Sequence, residues 1–522
     1  MNINASRRGF LRGLAGATAM GFAGCASSNC CCSGGKKIRL AAVGIWGKGF
    51  SDWLPMVKSG KAELVALCDA DANMLAKVAG HKSVKELGLD VSKVKFYTDY
   101  RKLLDDAGAL GIQAMTVSTP DHMHAPIAVS AMKMGTHVYV QKPLVRTMWE
   151  LDYFRKTAKE YGVITQMGNQ GSALDTMRRC TEVVQSGILG DVKEVHVWTN
   201  RPVWPQGKLA AESTLGDADP IPAGLNWDAW LGISKMRNFK GPYKPGKKGY
   251  DPWNLCTGVY HQFSWRGFFD FGCGAFGDMA CHTMNMPFRG LELATVKSAE
   301  CIRIEEKNDI AYPTKSIVRL IYAARPSAVQ KNADGSAKTL PECVVYWYDG
   351  DVKPEAKIMP KWAEQHGGKV PNTGCYIIGS KGCVLMQDDY GGKCAIALKD
   401  DKEFVDCFQH EAAKAVPRSI QFRSDVAAGQ ADGPGAAAVS ADGHYVEFLD
   451  AILGIGPVYR ETQSRCYADV DFSVPIMEGI IAGCIAQQVP NKLVWDSAAQ
   501  RFTNSPEANE LLKPYIRKGY EF

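Results

Sequence analysis

The sequence predicts an α/β protein in two parts, a doubly wound parallel sheet at the N-terminal end followed by a larger α+β domain. Three observations carry that expectation. A short apolar strand, Ile38 to Val43, runs into a glycine-rich turn and then into a helical segment, Phe50 to Lys58. A second strand from Leu64 ends on an acid, Asp69. Beyond residue 166, apolar strands recur between Gly, Pro and Asp turns.

The turn reads Gly44-Ile45-Trp46-Gly47-Lys48-Gly49. Glycines after a strand let the backbone bend sharply and approach a pyrophosphate, whose charge then meets the N–H groups at the helix start. Asp69 stands at the distance where a carboxylate reaches the adenosine ribose hydroxyls, which points to a dinucleotide. Ala70 follows it, with no arginine to take a 2'-phosphate, so NAD is favoured over NADP. The spacing departs from G-x-G-x-x-G, because Trp46 stands where the second glycine would be. The alternation continues with a strand at Ile112 to Ser118, a turn at Thr119-Pro120-Asp121 and a helix from Ala125 to Met134 closed by Gly135. A strand at His137 to Val140 then delivers Gln141-Lys142-Pro143 to the carboxyl end of the sheet, where ligands bind in such folds.

In the second part, strands are expected at Glu194 to Thr199, Thr295 to Ile304, Ser316 to Tyr322, Cys343 to Tyr348 and Cys375 to Ile378. Helices are expected at His444 to Leu453 and Val474 to Gln487. The stretches Asn332 to Lys338 and Gly429 to Ala437 read as surface loops. Six of the twelve tryptophans (Trp198, Trp204, Trp227, Trp230, Trp253 and Trp265) fall in one stretch, as core packing or as faces for sugar rings. Asp278 and His282 are four residues apart, so a helix would place them on one face, where the carboxylate can orient the imidazole or stabilise its protonated form.

Length and composition bound the rest. A chain of 522 residues with 46% hydrophobic and 22% charged residues has material for two domains and lacks an apolar run long enough to span a membrane. The net charge of +6 is spread without a basic block, which argues against nucleic acid. The first residues read as an address: Arg7-Arg8 and Phe10-Leu11 precede a weakly apolar stretch from Leu14 to Ala23, the pattern of a twin-arginine export signal. Cys25 follows small residues in the manner of a lipid-anchored protein, with ordinary signal cleavage as the alternative. The adjacent Cys30-Cys31-Cys32 lack metal-ligand spacing, and the later cysteines form no C-x-x-C pair, so no metal site is expected and no disulfide framework can be read.

Taken in order, the glycine turn, Ser118-Thr119-Pro120-Asp121-His122-Met123-His124, Gln141-Lys142-Pro143, Trp265-Arg266 and Gly277 to His282 resemble the glucose-fructose oxidoreductase and inositol dehydrogenase family, Gfo/Idh/MocA. The tail from Asn491 to Asp496, with Thr503-Asn504 and Tyr515 to Tyr520, resembles a large bacterial subgroup of predicted dehydrogenases. The resemblance implies a signal and tether over 1–36, a Rossmann domain over 37–165, and a substrate and oligomerisation domain with an open, mostly antiparallel sheet over 166–522. It further implies NAD as cofactor, a carbohydrate substrate, a homo-oligomer, export by the twin-arginine machinery and a periplasmic or cell-envelope location. The cofactor contacts it implies are Gly44, Ile45, Trp46, Gly47, Lys48, Gly49, Asp69, Ser118, Thr119, Pro120, His124, Gln141 and Asn169.

Lys142, Asp278 and His282 take the catalytic roles by the same resemblance. His282 removes the substrate hydroxyl proton while Lys142 polarises the oxygen, or the two exchange roles. Members of the family usually carry Glu-Lys-Pro where this chain has Gln141, so Lys142 loses one negative neighbour. Two other functions stay open: redox-assisted glycoside cleavage, and sugar or dinucleotide binding without catalysis.

Overall fold

A computed structural model describes residues 37–241, 258–420, 442–460, 462–489 and 491–522. The expected export signal, Cys25, Trp253 and the loop Gly429 to Ala437 lie outside the described residues.

The first sheet has six strands, β1 (Ile38–Val43), β2 (Ala62–Cys68), β3 (Lys95–Tyr97), β4 (Ala114–Val117), β5 (His137–Val140) and β6 (Thr165–Met167), in the order β3-β2-β1-β4-β5-β6. Every neighbouring pair is parallel. Strands covered by helices on both faces need apolar side chains on both, which is why β1 and β4 are Ala, Val, Leu, Ile and Met apart from Arg39 and Thr116, with no exposed position. The order reverses between β1 and β4, opening a crevice at their carboxyl ends. Helix Met148–Tyr161 shows how locally these elements are encoded: Thr147 and Glu150 form a capping box, and Gly162 ends the helix in the left-handed conformation.

The second sheet has ten strands. They are β7 (Val192–Trp198), β8 (Val296–Glu305), β9 (Lys315–Tyr322), β12 (Cys343–Asp349), β13 (Gly374–Gly379), β14 (Gly382–Met386), β15 (Cys394–Leu398), β16 (Val405–Asp406), β17 (Leu493–Asp496) and β18 (Arg501–Phe502), with the hairpin β10 (Arg325–Lys331) and β11 (Ala337–Leu340) beside them. The order is β16-β15-β14-β13-β7-β12-β9-β8-β17-β18. Only β7 and β12 pair in parallel, so the sheet is open, mixed and mostly antiparallel, as expected.

Two helices join this sheet to the crevice. All ten residues of Gly274–Thr283 are buried, and the helix packs on Val470–Ala486, where a Cβ on Gly483 would lie 1.9 Å from the Phe276 ring. Helix Asp442–Ile452 crosses back to the glycine turn. Its Tyr445 hydroxyl receives Lys48 Nζ at 3.0 Å, its His444 carbonyl accepts from Gln166, and Lys61 pairs with its Asp450.

One feature corrects the sequence reading. Cys180 and Cys394 form a disulfide between helix Asp175–Gln185 and β15, across 214 residues that no local spacing could connect. Cys407 lies beside them, and this trio is the cluster with metal-ligand spacing among the described residues, with two of its sulfurs joined to each other.

Candidate active site

The glycine turn is built for close approach. Gly44 and Gly47 hold φ of 77° and 62°, which only glycine adopts without strain. A Cβ on Gly44 would stand 2.4 Å from the Ser118 carbonyl oxygen, and one on Gly49 would stand 1.8 Å from that of Gly44. Trp53 Nε1 donates to the Ile45 carbonyl at 3.1 Å, and the Ile45 N–H donates to Asp69 at 3.1 Å. Asp69 is therefore fastened to the turn it serves. Burial raises its carboxyl, against the N–H groups of Asp71 and Ile45. Trp46 is absent from the positive-φ positions because Gly47 supplies that conformation, and its ring packs on Phe50 and His81 at the cleft edge. A cradle that a Cβ would fill, helix Lys48–Lys58 starting inside it and an acid at the end of β2 fit a dinucleotide.

The cleft beside this turn has a volume of about 300 Å³ and continues between the two sheets. Lys142, Asp278 and His282 meet in it. Lys142 Nζ donates to both the Asp278 carboxylate and the Asp278 carbonyl at 2.9 Å, and Arg266 Nε donates to the same carboxylate at 3.1 Å. Burial acts to raise the Asp278 carboxyl, yet the charges of Lys142 and Arg266 hold it well below the usual range. Of the two roles expected of Asp278 toward His282, orienting the ring or stabilising its protonated form, the geometry leaves the second: Lys142 and Arg266 take the hydrogen bonds of the carboxylate, and its charge still acts on the imidazole. His282 leaves Nδ1 buried without a partner among the described residues, with Tyr390 packed edge-on at 4.7 Å. Burial and the Lys142 charge drive the imidazole well below its ordinary value, so it is neutral at neutral pH.

Beneath Lys142 lies a second polar layer. Gln141 Nε2 donates to both oxygens of Asp52 at 3.0 and 2.9 Å, Ser118 Oγ donates to it at 2.7 Å, and Lys48 pairs with it. Asp52 is fully buried, and burial raises its carboxyl despite these donors. A glutamate at 141 would face this carboxylate directly. Gln141 thus supplies a donor where an acid would repel.

Of the expected cofactor contacts, Gly44, Trp46, Gly47, Lys48, Asp69, Ser118, Thr119, Pro120 and Gln141 line the cleft. Ile45 and Gly49 shape the turn from behind. His124 and Asn169 do not line it. The His124 ring is buried with its nitrogens on the carbonyls of Pro143 at 2.8 Å and Thr119 at 2.9 Å, tying two cleft loops together. Of the adjacent pair Asn169-Gln170, both of which the sequence offered as ligand contacts, Asn169 is buried with its amide unpartnered among the described residues and Gln170 lines the cleft. Trp204, Trp230 and Trp265 line the cleft, whereas Trp198 belongs to the core and Trp227 stacks on Trp230 at 4.8 Å.

Sequence reasoning missed Asp52, Asp121, Arg201, His261 and Tyr390. Asp121 lies in a motif it quoted, and burial together with the Asp278 charge pushes its carboxyl up to about 8. His261 Nε2 donates to the Asp71 carboxylate at 3.0 Å; although burial opposes it, that partner holds the Asp71 carboxyl at about 2. The others come from segments without a motif.

Residues 38–169 match the family model described as oxidoreductase family, NAD-binding Rossmann fold, GFO_IDH_MocA. Glycosyl hydrolase family 109 protein 2 of Akkermansia muciniphila is 28% identical over 163 residues, covering 30% of this chain and 32% of that protein. Levoglucosan dehydrogenase of Pseudarthrobacter phenanthrenivorans is 25% identical over 130 residues, covering 23% of this chain and 33% of that protein. The chain spans about a third of the length of these curated relatives. An inositol dehydrogenase homolog from Azotobacter vinelandii, solved with NAD+, shares the fold with a TM-score of 0.53 at 16% identity, covering 88% of this chain and 98% of that one. Residues 38–169 thus form an NAD-binding Rossmann domain that matches the Gfo/Idh/MocA oxidoreductase family model.

Proposed function

We propose that this chain is an exported NAD-dependent oxidoreductase acting on a CH–OH group of a sugar, polyol or glycoside. The observation that carries this reading is the meeting of Lys142, Asp278 and His282 in the cleft that opens from the glycine turn. When bound, the nicotinamide accepts or returns the hydride. Lys142, held by Asp278 through two hydrogen bonds, points a fixed cation at the substrate oxygen and stabilises its negative charge as the proton leaves. His282, neutral and without a hydrogen-bond partner on Nδ1, takes that proton, and the Asp278 charge stabilises the imidazolium that forms. Aromatic rings of Trp204, Trp230 and Trp265 offer faces to the C–H side of a sugar. Asp69 favours NAD over NADP, since a carboxylate at the ribose repels a 2'-phosphate.

Export is supported by Arg7-Arg8 and by the Cys180–Cys394 disulfide, a bond that persists in oxidising compartments. A second reading, redox-assisted glycoside cleavage, draws support from the relative named glycosyl hydrolase family 109 protein 2.

Purified full-length protein should carry or bind NAD, identified by absorbance and mass, and should reduce it with a polyol, aldose or glycoside. Lys142→Ala and His282→Ala should each lower turnover by about 10²- to 10⁴-fold while dinucleotide binding persists. Full turnover in either variant sinks the assignment of that residue. Aryl glycoside cleavage that requires NAD would replace the dehydrogenase reading with the second one.

A further inference from the structure

Four lysine and arginine side chains line the cleft, and three of them are already matched. Lys48 pairs with Asp52, and Lys142 and Arg266 share Asp278 at 2.9 and 3.1 Å. Arg201 differs. Its nearest carboxylate among the described residues is Asp389 at 3.9 Å, beyond hydrogen-bond range. Asp389 does not line the cleft, already accepts a hydrogen bond from Thr373, and is held up by burial. Among the described residues the Arg201 guanidinium donates one hydrogen bond, to Asn200, which leaves donors to spare beside the distant Asp389.

The backbone that carries this cation is held on both sides. Arg201 follows β7, its N–H donates to Thr199 Oγ1 at 3.3 Å, and its carbonyl accepts from Gly350 at 2.6 Å. Burial and then the Asp389 charge push the Tyr390 phenol up to about 12, with the Arg201 charge opposing them, and its hydroxyl has no hydrogen bond among the described residues. The loop that presents Tyr390 is rigid: the Asp388 carboxylate accepts from the N–H groups of Tyr390, Gly391, Gly392 and Lys393 at 2.7–3.1 Å. Behind it, the Tyr390 carbonyl lies where a Cβ on Gly171 would come within 2.4 Å. A guanidinium and a phenol, each carried on a backbone held by hydrogen bonds and each with donors to spare, line one cleft beside His282. Donors of this kind recognise the oxygens of an anion.

We propose that Arg201 and Tyr390 form an anion subsite, so that the substrate is a sugar or polyol bearing a carboxylate or a phosphate. The inference rests on the reading of this cleft as the substrate site. Lys142 and His282 hold the reacting hydroxyl, and the anionic group lies on the Arg201 side of the same molecule.

The test measures binding by calorimetry to the full chain loaded with NAD, in parallel with NADH formation. The probes are glucuronate, galacturonate, glucose 6-phosphate and galactose 6-phosphate, each against its neutral hexose. At least one anionic probe should bind tenfold or more tightly than its neutral partner, and the better class separates carboxylate from phosphate. Arg201→Met should weaken that probe by about 10- to 100-fold and the neutral hexose by less than about threefold. Arg201→Lys should keep part of the preference, and Tyr390→Phe should weaken the anionic probe several-fold. Neutral hexoses binding as tightly as all four anions, binding by none of the four, or an equal loss for charged and neutral probes in Arg201→Met overturns the subsite. An anion preference without NADH formation leaves the subsite standing and removes the dehydrogenase reading. Equal oxidation of neutral and charged probes does the reverse.

Discussion

Gln141 is the residue at which the sequence and its environment disagree most usefully. Read along the chain, it is an acid lost next to Lys142. In space it is the donor that satisfies Asp52, a buried carboxylate that no motif announces. Gln141→Glu would set two carboxylates within hydrogen-bond distance, and one would have to hold a proton. The pair's folded-state pKa would then lie above its unfolded value, so the variant should be close to wild type in acid and lose about 1–3 kcal/mol as the pH rises to neutrality. Urea denaturation across that range measures it, and Asp52→Asn in the same chain should restore much of the loss. A flat pH response would mean that the two side chains do not share the site. Lys142, Asp278 and His282 were legible because each stands in a short motif. Asp52, Arg201 and Tyr390 were not, because a helix interior, a strand end and a hairpin loop reach the cleft only through tertiary packing.

At the scale of the element, the glycine turn was read correctly in kind and incompletely in geometry. Its left-handed positions are Gly44 and Gly47, and Gly49 is required by proximity to the Gly44 carbonyl and not by its own φ. Gly49→Ala should therefore displace the turn, abolish detectable NAD binding and cost about 2 kcal/mol or more in stability, read by calorimetry and denaturation. Gly47→Ala meets no neighbouring atom and carries only the conformational penalty, about 1–2 kcal/mol. An alanine at 49 that still binds NAD normally would show that the turn relaxes. Five of the ten strands of the second sheet, β7, β8, β9, β12 and β13, were found within one or two residues because period and β-branched content mark them locally, whereas β14 to β18 were not read. The strand order was not read either, since β7 pairs with β12 and β13, which lie far along the chain.

For the whole molecule, the Cys180–Cys394 disulfide is the long-range constraint that sequence spacing could not reveal. Closing a loop of 214 residues restricts the unfolded chain by up to about 5 kcal/mol on the chain-entropy estimate. Cys180→Ser, or reduction under denaturing cycles, should lower the unfolding midpoint accordingly. An unchanged midpoint would mean that these thiols are not joined in the native protein.

The contact between Lys48 and Tyr445 joins a turn near the start of the chain to helix Asp442–Ile452, almost four hundred residues later. A ligand that orders the turn must therefore also favour the docked helix, and by reciprocity the docked helix must tighten the ligand. Backbone amides of Tyr445 to Leu449 should exchange with deuterium more slowly when NAD is added, and Tyr445→Phe should reduce that protection and weaken NAD by the same factor. Residues 38–169 expressed alone would lack the Tyr445 partner of Lys48 and should bind NAD more weakly than the full chain.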